Sequence, residues 1–517
     1  MDIIDNKALL VKTRKPELFT PLEKHHVLSE AEGVYDVLVH WGQEEVEHMT
    51  ANGFWKTPSP ILKDYVWPGQ YKPMEHQRTT ASFAAANPRC FIFNHAGTGK
   101  TSAAIWAADY LMTLGKVHRV LVVCPMSIMQ TAWMDDLFHT AMHRTAAVCH
   151  GSAKVRENII NGDYEFVIIN FDGVKIIKDK VKKPFDLIIV DEANFLKTHT
   201  TDRWKAVHKM MTANTRLWMM TGTPAAQSPE DAYGLAKLTV PSRVPKYFNA
   251  WKGMVMQQIG TFKWVPKNTA KDTVFAALQP AIMFKKEDCL DLPDIMYTTR
   301  DVPMSASQEK YYNQMKAHMA IEAAGESITS ANAAVNMGKL LQISAGGLYS
   351  EDRGTIEFDI KPRITELLDI VEGTDKKVIV FIQYTHAIER TLSLLLAAGI
   401  SCSVINGDVK SKDRDVAIRR FQDPDDPMKV ILIQPQAAAH GITLTEADTV
   451  VWLGPTPSAE TFLQANARAH RKGQVNKVTV VMIQSSPAEK RMYDAVHRKV
   501  DAHIAITDLY KEVLTEK

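Results

Sequence analysis

A glycine-rich segment near residue 95 carries the residue types that bind a polyphosphate. The run CFIFNHAGTGKTSAAIWAADYL contains an apolar strand, a small-residue loop, a Lys-Thr pair and a helix-forming stretch, in that order. Gly97 and Gly99 let backbone amides approach anionic oxygens, Lys100 supplies a point charge, and Thr101 supplies a hydroxyl for Mg²⁺. The strict phosphate-loop pattern has glycine where this chain has Asn94, so we rely on the looser form AxxGxGKT. Ala96 departs from that form too, because the alanine of that form should lie earlier in the chain, and an ordinary glycine turn is the alternative.

Two later strand ends also carry polar residues. The apolar segment FDLIIVDEAN ends with Asp191 and Glu192. Two carboxylates at the carboxyl end of a strand can divide the work, with Asp191 holding the Mg²⁺ shell while Glu192 orients and polarises the attacking water. The stretch LWMM precedes Thr221-Gly222-Thr223-Pro224, whose hydroxyls we expect to sense the nucleotide state. The alternatives are an acidic surface strand and a plain turn.

A pair of arginines near residue 470 has a spacing that suits phosphate. The run QANARAHR places Arg468 and Arg471 three residues apart, and we predict that both lie on one helical face. A planar, always-charged guanidinium matches the charge that spreads over a phosphoryl-transfer transition state. The alternative is a basic surface helix. We interpret His470 as a packing or polar-satisfaction residue rather than a catalytic base.

Two stretches of chain have the pattern that would position these residues. From about residue 71 to 240, the short apolar runs CFIF, RVLVVCP, EFVIIN and FDLIIVDE alternate with helical or turn-rich segments. The rhythm returns after residue 360 with KVIVFIQ, SCSVING, KVILIQP, DTVVWLG and KVTVVMIQ. Continuous apolar runs separated by helix-length segments are what a parallel sheet covered on both faces requires. We therefore predict two doubly wound α/β domains in tandem, with helical insertions.

The predicted organisation has five segments. Residues 1–70 mix charged and aromatic residues without a clear strand-helix rhythm and are interpreted as an accessory segment. The others are a first α/β domain with a helical insertion at 71–295, a helical linker or protrusion at 296–359, a second α/β domain at 360–486, and a C-terminal brace helix at 487–517.

Composition excludes several classes of protein. With 517 residues, 45% hydrophobic and 23% charged, the chain has material for about three structural units and is not disordered. No apolar run reaches the roughly 20 residues of a bilayer span, and the first residues lack the pattern of a signal peptide, so we expect neither membrane insertion nor secretion. The 5 cysteines are scattered singly, which is typical of reduced thiols.

The net charge of +2 says nothing about partners. The densest basic segment, KIIKDKVKK at 175–183, is interpreted as a solvated face, with DNA contact as the alternative.

Together these segments resemble the superfamily 2 nucleic-acid motors and, within them, the SNF2 (Swi2/Snf2-type) ATPases, over about residues 71–500. In order, PMEHQ resembles the Q motif, NHAGTGKT motif I, LVVCPMSIMQTAW motif Ia, DEANFLK motif II, TGTP motif III and KVIVFIQYTHAIERT motif IV. More discriminating are MFKKEDCLDLPDIMYTTRDVPMSASQEKYY, similar to the family's linker between motor domains, and QAAAHGITLTEADTVVWLGPTPSAETFLQANARAHRKGQ, which matches motifs V and VI.

The resemblance implies two RecA-like domains that bind ATP between them and move along duplex DNA, usually without separating its strands. By position, the adenine reader would be Gln77, and the phosphates would be held by Gly97, Thr98, Gly99, Lys100 and Thr101, with Gly441 also at the nucleotide. Thr101 and Asp191 would hold Mg²⁺ through ATP, Glu192 would act on water, and Arg468 and Arg471 would be arginine fingers. Coupling residues would be Asn194, Thr221, Thr223 and Gln464, and DNA contacts would be Ser127, Gln383, Thr385 and Thr443.

The chain departs from the family pattern at a few positions. Asn194 stands where the family usually has a histidine that links the acidic pair to the motif III turn. An asparagine can still donate and accept hydrogen bonds. Ala438 and Ala439 stand where two glycines are usual.

The expected function is that of an ATP-dependent translocase on duplex DNA that uses Mg²⁺ and binds DNA largely without regard to sequence. The alternatives are a strand-separating or branch-migrating helicase acting on forks or junctions and a DNA-binding scaffold with a residual nucleotide pocket. We expect a monomer in the cytoplasm of a bacterium or a virus-infected cell.

Overall fold

The structure is a computed structural model that describes residues 1–222, 224, 228–260, 264–289, 292–325, 330–349, 354–438, 442–471 and 473–515. The chain divides into two compact units. Unit 1 consists of Met1–Gln257, Val265–Cys289 and Ala505–Lys517, and unit 2 consists of Gln258–Trp264 and Leu290–Ile504.

The first 51 residues, in which the sequence shows no clear strand-helix rhythm, form an antiparallel sheet and a helix. The strands are β1 (Asp2–Ile4), β2 (Ala8–Thr13), β3 (His25–Ala31) and β4 (Val34–His40), in the order β1-β2-β4-β3, followed by helix α1 (Gln43–Ala51). Apolar residues alternate along the two central strands, so one face is buried: Leu9 pairs with Val39, and Val11 with Val37. This alternation is the signal that the sequence interpretation overlooked.

The rest of unit 1 contains a seven-stranded parallel sheet in the order β13-β5-β10-β9-β6-β8-β7. Its central strands are buried at nearly every position, as expected for a sheet covered on both faces. The strands of this sheet are β5 (Arg89–Ile92), β6 (Val120–Cys124), β7 (Ala146–Val148), β8 (Phe166–Asn170), β9 (Leu187–Asp191), β10 (Arg216–Met220) and β13 (Ala281–Ile282). A separate pair consists of β11 (Met256–Gln258) and β12 (Trp264–Pro266), of which Gln258 and Trp264 are assigned to unit 2. The helices are α2 (Ile61–Asp64), α3 (Glu75–Ala86), α4 (Lys100–Thr113), α5 (Asp135–Ala141), α6 (Ala153–Ile160), α7 (Phe171–Ile177), α8 (Asp202–Met210), α9 (Ala232–Thr239), α10 (Phe248–Val255), α11 (Ala270–Ala277) and α12 (Lys286–Cys289).

Unit 2 contains a six-stranded parallel sheet in the order β14-β21-β20-β17-β19-β18. The strands are β14 (Ile295–Asp301), β15 (Gly347–Tyr349), β16 (Thr355–Glu357), β17 (Lys377–Phe381), β18 (Cys402–Ile405), β19 (Val430–Ile433), β20 (Ala447–Trp452) and β21 (Val478–Gln484). The helices are α13 (Ala306–Gly325), α14 (Ser330–Ser344), α15 (Lys361–Glu372), α16 (Thr385–Ala397), α17 (Ser411–Gln422), α18 (Pro435–Ala438), α19 (Ala459–Asn466) and α20 (Pro487–Thr515). The predicted fold class, two parallel-sheet α/β domains in tandem, is confirmed.

The interval 296–359 is not wholly helical as predicted. It does contain α13 and α14, but β14 adds an edge strand to the sheet of unit 2, with Ile295 beside Val478 and Asp301 beside Gln484. Tyrosine and threonine in IMYTTRD favour an extended strand, and the strand extends the sheet beyond the predicted boundary. A second pair, β15 with β16, is antiparallel and lies in the same interval.

A buried ion pair connects several elements of unit 2. Arg363 in α15 lies 2.9 Å from a carboxylate oxygen of Glu489 in α20, with side-chain exposures of 4% and 1%. The same guanidinium donates to the carbonyl of Leu453 after β20 and to the hydroxyl of Ser485 after β21. The first turn of α20 is thereby attached to the sheet.

Among the helices in the described ranges, none has both the length and the apolar character needed to cross a bilayer.

Candidate functional site

Three neighbouring strands of unit 1 bring the predicted nucleotide residues to one edge of the sheet. Strand β10 lies between β5 and β9, so Met220 is in register with both Ile92 and Asp191. The next backbone N–H, that of Thr221, donates to the carbonyl of Ile92 at 3.1 Å. The loop after β5, the acidic end of β9 and the turn after β10 therefore meet at the carboxyl ends of parallel strands, where α/β sheets bind ligands.

The loop between β5 and α4 has the backbone conformation that its glycines predict. Gly97 and Gly99 have φ angles of 86° and 75°, in the left-handed region that favours glycine. Gly99 is the N-cap residue of α4, and Lys100 is the first residue of that helix. The Lys100 ammonium donates to the carbonyls of Asn94 at 2.8 Å and His95 at 3.3 Å, so it lies across its own loop. This geometry suits an anion site at the start of a helix.

Gln77, the predicted adenine reader, packs directly on this loop. Its side-chain carbonyl accepts from the backbone N–H of Met74 at 2.9 Å, and its Nε2 donates to the carbonyl of Thr98 at 3.3 Å. The Nε2 of His76 also lies 2.8 Å from the Thr98 carbonyl oxygen. The start of α3 is therefore fixed against the phosphate loop, a connection by His76 that sequence reasoning did not identify.

Asn94, which replaces the usual glycine, has a structural use. Its side chain is 1% exposed, donates to the Thr80 hydroxyl at 2.8 Å and accepts from the backbone N–H of Phe284 at 3.0 Å. One amide thus ties the start of the loop to α3 and to the segment after β13. A glycine at this position would supply neither bond.

Both oxygens of the Asp191 carboxylate accept hydrogen bonds. The indole Nε1 of Trp133 donates to Oδ2 at 3.0 Å, and the backbone N–H of Glu192 donates to Oδ1 at 3.0 Å. Burial raises the pKa of Asp191, while the Lys100 ammonium and the two N–H donors act in the opposite direction. Glu192 has a φ of 55°, a left-handed conformation that is uncommon outside glycine and is found at functional sites.

The donor atoms at this edge fit a magnesium ion. Mg²⁺ prefers oxygen ligands and is commonly held by one or two carboxylates together with substrate phosphates. Asp191 supplies a carboxylate whose two oxygens are held by the N–H groups of Trp133 and Glu192, and Thr101 supplies a hydroxyl in the first turn of α4. These two residues would hold the ion.

Asn194, two residues after Glu192, contacts the turn that follows β10. Its Nδ2 donates to the Thr221 hydroxyl at 3.0 Å, and both residues are buried. The next residue approaches the phosphate loop closely, because a Cβ on Gly222 would lie 3.3 Å from the backbone nitrogen of Ala96. The structure therefore brings Asn194 and Thr221, two of the predicted coupling residues, into contact. Thr223 lies outside the described residues.

The two arginines of unit 2 do not share a helical face, so that prediction was wrong. Helix α19 ends at Asn466, whose side-chain oxygen accepts from the Trp452 indole at 2.9 Å. The chain then turns, because the carbonyl of Arg468 accepts from Leu444 at 3.0 Å instead of continuing the helix. Arg471 donates to the carbonyl of Ile442 at 3.1 Å. Arg468 is buried and Arg471 is half-buried.

The neighbouring polar residues of this segment are also placed. His470 is 4% exposed and its Nε2 lies 2.7 Å from the carbonyl oxygen of Pro293, which agrees with its interpretation as a polar-satisfaction residue. Gln464 is buried in α19 and donates to Glu460 at 3.3 Å. Gly441 lies outside the described residues.

The predicted DNA contacts lie near strand ends of both units, three after a strand and one before a strand. Ser127 lies in a 3-10 turn, Met126–Ile128, after β6. Gln383 and Thr385 follow β17, with Thr385 opening α16, and Thr443 precedes β20. All four are half-buried.

Three of the five lysines in the basic segment 175–183 form ion pairs with neighbouring acids. The pairs join Lys175 to Asp172 at 2.9 Å, Lys180 to Glu157 at 3.0 Å, and Lys183 to Asp163 at 2.9 Å. These pairs favour the interpretation as a solvated face over DNA contact.

Two domain families match the chain: an SNF2-related domain over residues 39–346 and a helicase conserved C-terminal domain over residues 362–473. The chain belongs to the SNF2-related family. Its class is accordingly that of a helicase-like ATPase.

Curated relatives are distant in sequence. The chain is 24% identical to a SWI/SNF-related matrix-associated actin-dependent regulator of chromatin subfamily A-like protein 1 from Xenopus tropicalis, over 83% of this chain and 44% of that protein. It is 26% identical to a probable chromatin-remodeling complex ATPase chain from Oryza sativa subsp. japonica, over 74% and 36%. The chain thus spans less than half the length of these two relatives. Putative protein p41 of Acyrthosiphon pisum secondary endosymbiont phage 1 is 23% identical, over 86% and 99%.

A solved structure, the Sulfolobus solfataricus SWI2/SNF2 ATPase core in complex with dsDNA, is 20% identical, with a TM-score of 0.42, over 86% of this chain and 96% of that chain.

Proposed function

We propose that this protein is a DNA-dependent ATPase that couples ATP hydrolysis to movement along duplex DNA. The observation that carries the proposal is the set of residues at one sheet edge of unit 1: the phosphate loop, the Asp191–Glu192 pair and the bond from Asn194 to Thr221. The membership of this chain in the SNF2-related family supports ATP hydrolysis as the reaction at that edge.

Each residue has a role in the proposed hydrolysis. The amides of the loop at Gly97, Thr98 and Gly99 and the Lys100 ammonium bind the phosphates. Thr101 and Asp191 would hold Mg²⁺, which would supply positive charge to the phosphate oxygens. Glu192 orients the attacking water. In unit 2, Arg468 and Arg471 are the proposed sources of guanidinium charge for phosphoryl transfer, and Gln464 couples that unit to nucleotide.

The Asn194–Thr221 bond is the proposed link between hydrolysis and movement. Asn194 follows the acidic pair, and Thr221 follows the strand beside it, so a change in the acidic pair reaches the turn directly. We propose that Thr223 belongs to the same turn.

DNA binding is proposed to depend on the phosphate backbone. Ser127, Gln383, Thr385 and Thr443 are neutral hydrogen-bonding residues that suit phosphate oxygens rather than a particular base. Binding should therefore be largely independent of DNA sequence.

A triplex-displacement assay tests movement without strand separation. We expect the protein with ATP and Mg²⁺ to displace a third strand from duplex DNA, and Lys100→Ala to fail at the same protein concentration. Forked DNA should stay paired under these conditions. Unwinding of the fork without triplex displacement would favour a strand-separating helicase. The absence of both reactions would contradict the proposal that the protein is a motor.

We also propose that the protein acts as a monomer in the cytoplasm of a bacterium or a virus-infected cell. The likeness to a phage protein over nearly its whole length supports that location.

A further inference from the structure

Trp133 has its indole ring in the apolar core and its N–H directed at the Asp191 carboxylate. The side chain is 0% exposed and packs in the same core cluster as Trp106 and Trp218. Its Nε1 donates to Oδ2 of Asp191 at 3.0 Å. The other two indoles donate to backbone carbonyls, Trp106 to Pro68 at 3.1 Å and Trp218 to Asn87 at 3.2 Å.

The fold explains why this indole reaches the carboxylate. Strand β6 runs parallel to β9, with Val123 beside Val190, so the chain leaving β6 passes the end of β9 where Asp191 lies. That segment contains a π-helical turn, Met129–Met134, and Trp133 lies within it. Single π-helical turns are rare and are often found at functional sites.

The hydrogen bond holds one oxygen of a carboxylate that has two. The Glu192 N–H holds Oδ1, so the carboxylate can rotate about its Cβ–Cγ bond only by breaking its hydrogen bond to Trp133. Groups behind a metal ligand commonly fix its orientation, and losing one lowers metal affinity or activity by about 10- to 100-fold.

We propose that Trp133 is a positioning residue for Asp191: its indole N–H fixes the carboxylate in the orientation that binds Mg²⁺ with ATP. The inference rests on the proposed function only in taking Asp191 as the magnesium ligand. It involves no DNA contact and no movement.

The test measures the Mg²⁺ dependence of binding of a fluorescent, slowly hydrolysed ATP analogue, in the absence of DNA. For Trp133→Phe we expect the Mg²⁺ concentration at half-saturation to rise roughly 10-fold, with analogue affinity in EDTA unchanged. Trp218→Phe is the matched control, because it removes the same atoms from the same core but leaves Asp191 untouched. The control should have the wild-type Mg²⁺ dependence. Equal Mg²⁺ dependence in the two variants would overturn the proposal.

A double-mutant cycle with Asp191→Asn separates positioning from packing. If the indole acts through the carboxylate, Trp133→Phe should change the Mg²⁺ dependence of the wild type but not that of Asp191→Asn. Additive effects would mean that Trp133 acts through the core alone, and the proposal would fail.

A shape-preserving replacement covers the case in which Trp133→Phe does not fold. Replacement of Trp133 by 3-benzothienylalanine keeps the two rings and exchanges the N–H for sulfur, so it removes the donor with little change in volume. Wild-type Mg²⁺ dependence of this variant would refute the positioning role. A protein that shows the expected Mg²⁺ coupling but no response to DNA would refute the translocase and leave the role of Trp133 intact.

Discussion

Replacing Gly99 with alanine should weaken ATP binding through two effects that can be separated. Gly99 has a φ of 75°, which an L-residue adopts at a cost of about 1–2 kcal/mol. A Cβ at this position would also lie 2.0 Å from Nε2 of Gln77. Since the far end of a flexible side chain can move, we expect Gln77 to swing away from the loop.

The expected size of the effect follows from these two terms. Movement of Gln77 breaks its bond to the Thr98 carbonyl, a net loss of about 1 kcal/mol. Added to the backbone term, this gives about 2–3 kcal/mol if the loop must keep its conformation to bind phosphate. By the relation of about 1.4 kcal/mol per tenfold change, ATP affinity should fall roughly 30- to 150-fold.

The chain offers a matched control at the other end of the same helix. Gly115 has a φ of 68°, and a Cβ there would meet nothing within 4 Å. Gly115→Ala should therefore lower the thermal stability by a similar backbone strain but leave ATP affinity unchanged. Isothermal titration calorimetry with ATP and thermal melting measure the two quantities. ATP affinity of Gly99→Ala within twofold of the Gly115→Ala value would refute the reasoning.

Three further predictions concern unit 2. Arg363→Met leaves the buried Glu489 carboxylate without its counter-ion and should lower the free energy of unfolding by about 3–5 kcal/mol in guanidinium denaturation, with recovery when Glu489→Leu is added; no recovery would contradict the ion-pair explanation. Burial lowers the pKa of His386, so the folded protein holds this ring neutral while the unfolded chain takes up a proton below about pH 6.5. The free energy of unfolding should therefore fall as the pH drops below that value, and His386→Leu should reduce this slope; an unchanged slope would count against it. Arg471→Ala should lower kcat for ATP hydrolysis roughly 10³-fold in steady-state assays, whereas Arg419→Ala on the exposed face of α17 should not, and equal rates would remove Arg471 from the mechanism.

The fold and the local motifs could be predicted because their signals are local. Apolar runs such as LIIVD and VLVVC are buried at every position in parallel strands, and the glycines of the phosphate loop have the positive φ angles that their residue type permits. The N-terminal sheet had an equally local signal. Buried apolar residues occupy every second position in β2 (Leu9, Val11) and in β4 (Val37, Val39), but the many charged residues of this segment obscured that pattern.

The supporting residues of the site could not be predicted because their partners are distant in sequence. Trp133 and Asp191 are 58 positions apart, and Asn94 and Phe284 are 190 positions apart. Only the order of strands in the sheet brings each pair together. The prediction that the two arginines share a helical face was wrong for a related reason. The sequence has helical spacing, but the backbone N–H of Leu444, a residue of another segment, donates to the Arg468 carbonyl after the helix has ended.

The central claim is that the carboxyl edge of unit 1 hydrolyses ATP in response to DNA. The most direct test is the steady-state rate of ATP hydrolysis with and without duplex DNA, for the wild type and for Glu192→Gln, which keeps the size of the side chain. We predict a rate that rises on adding duplex DNA in the wild type, and a variant that still binds ATP but hydrolyses it at least about 10²-fold more slowly. A wild-type rate of ATP hydrolysis that does not change on adding duplex DNA, together with an equal rate in Glu192→Gln, would contradict the account.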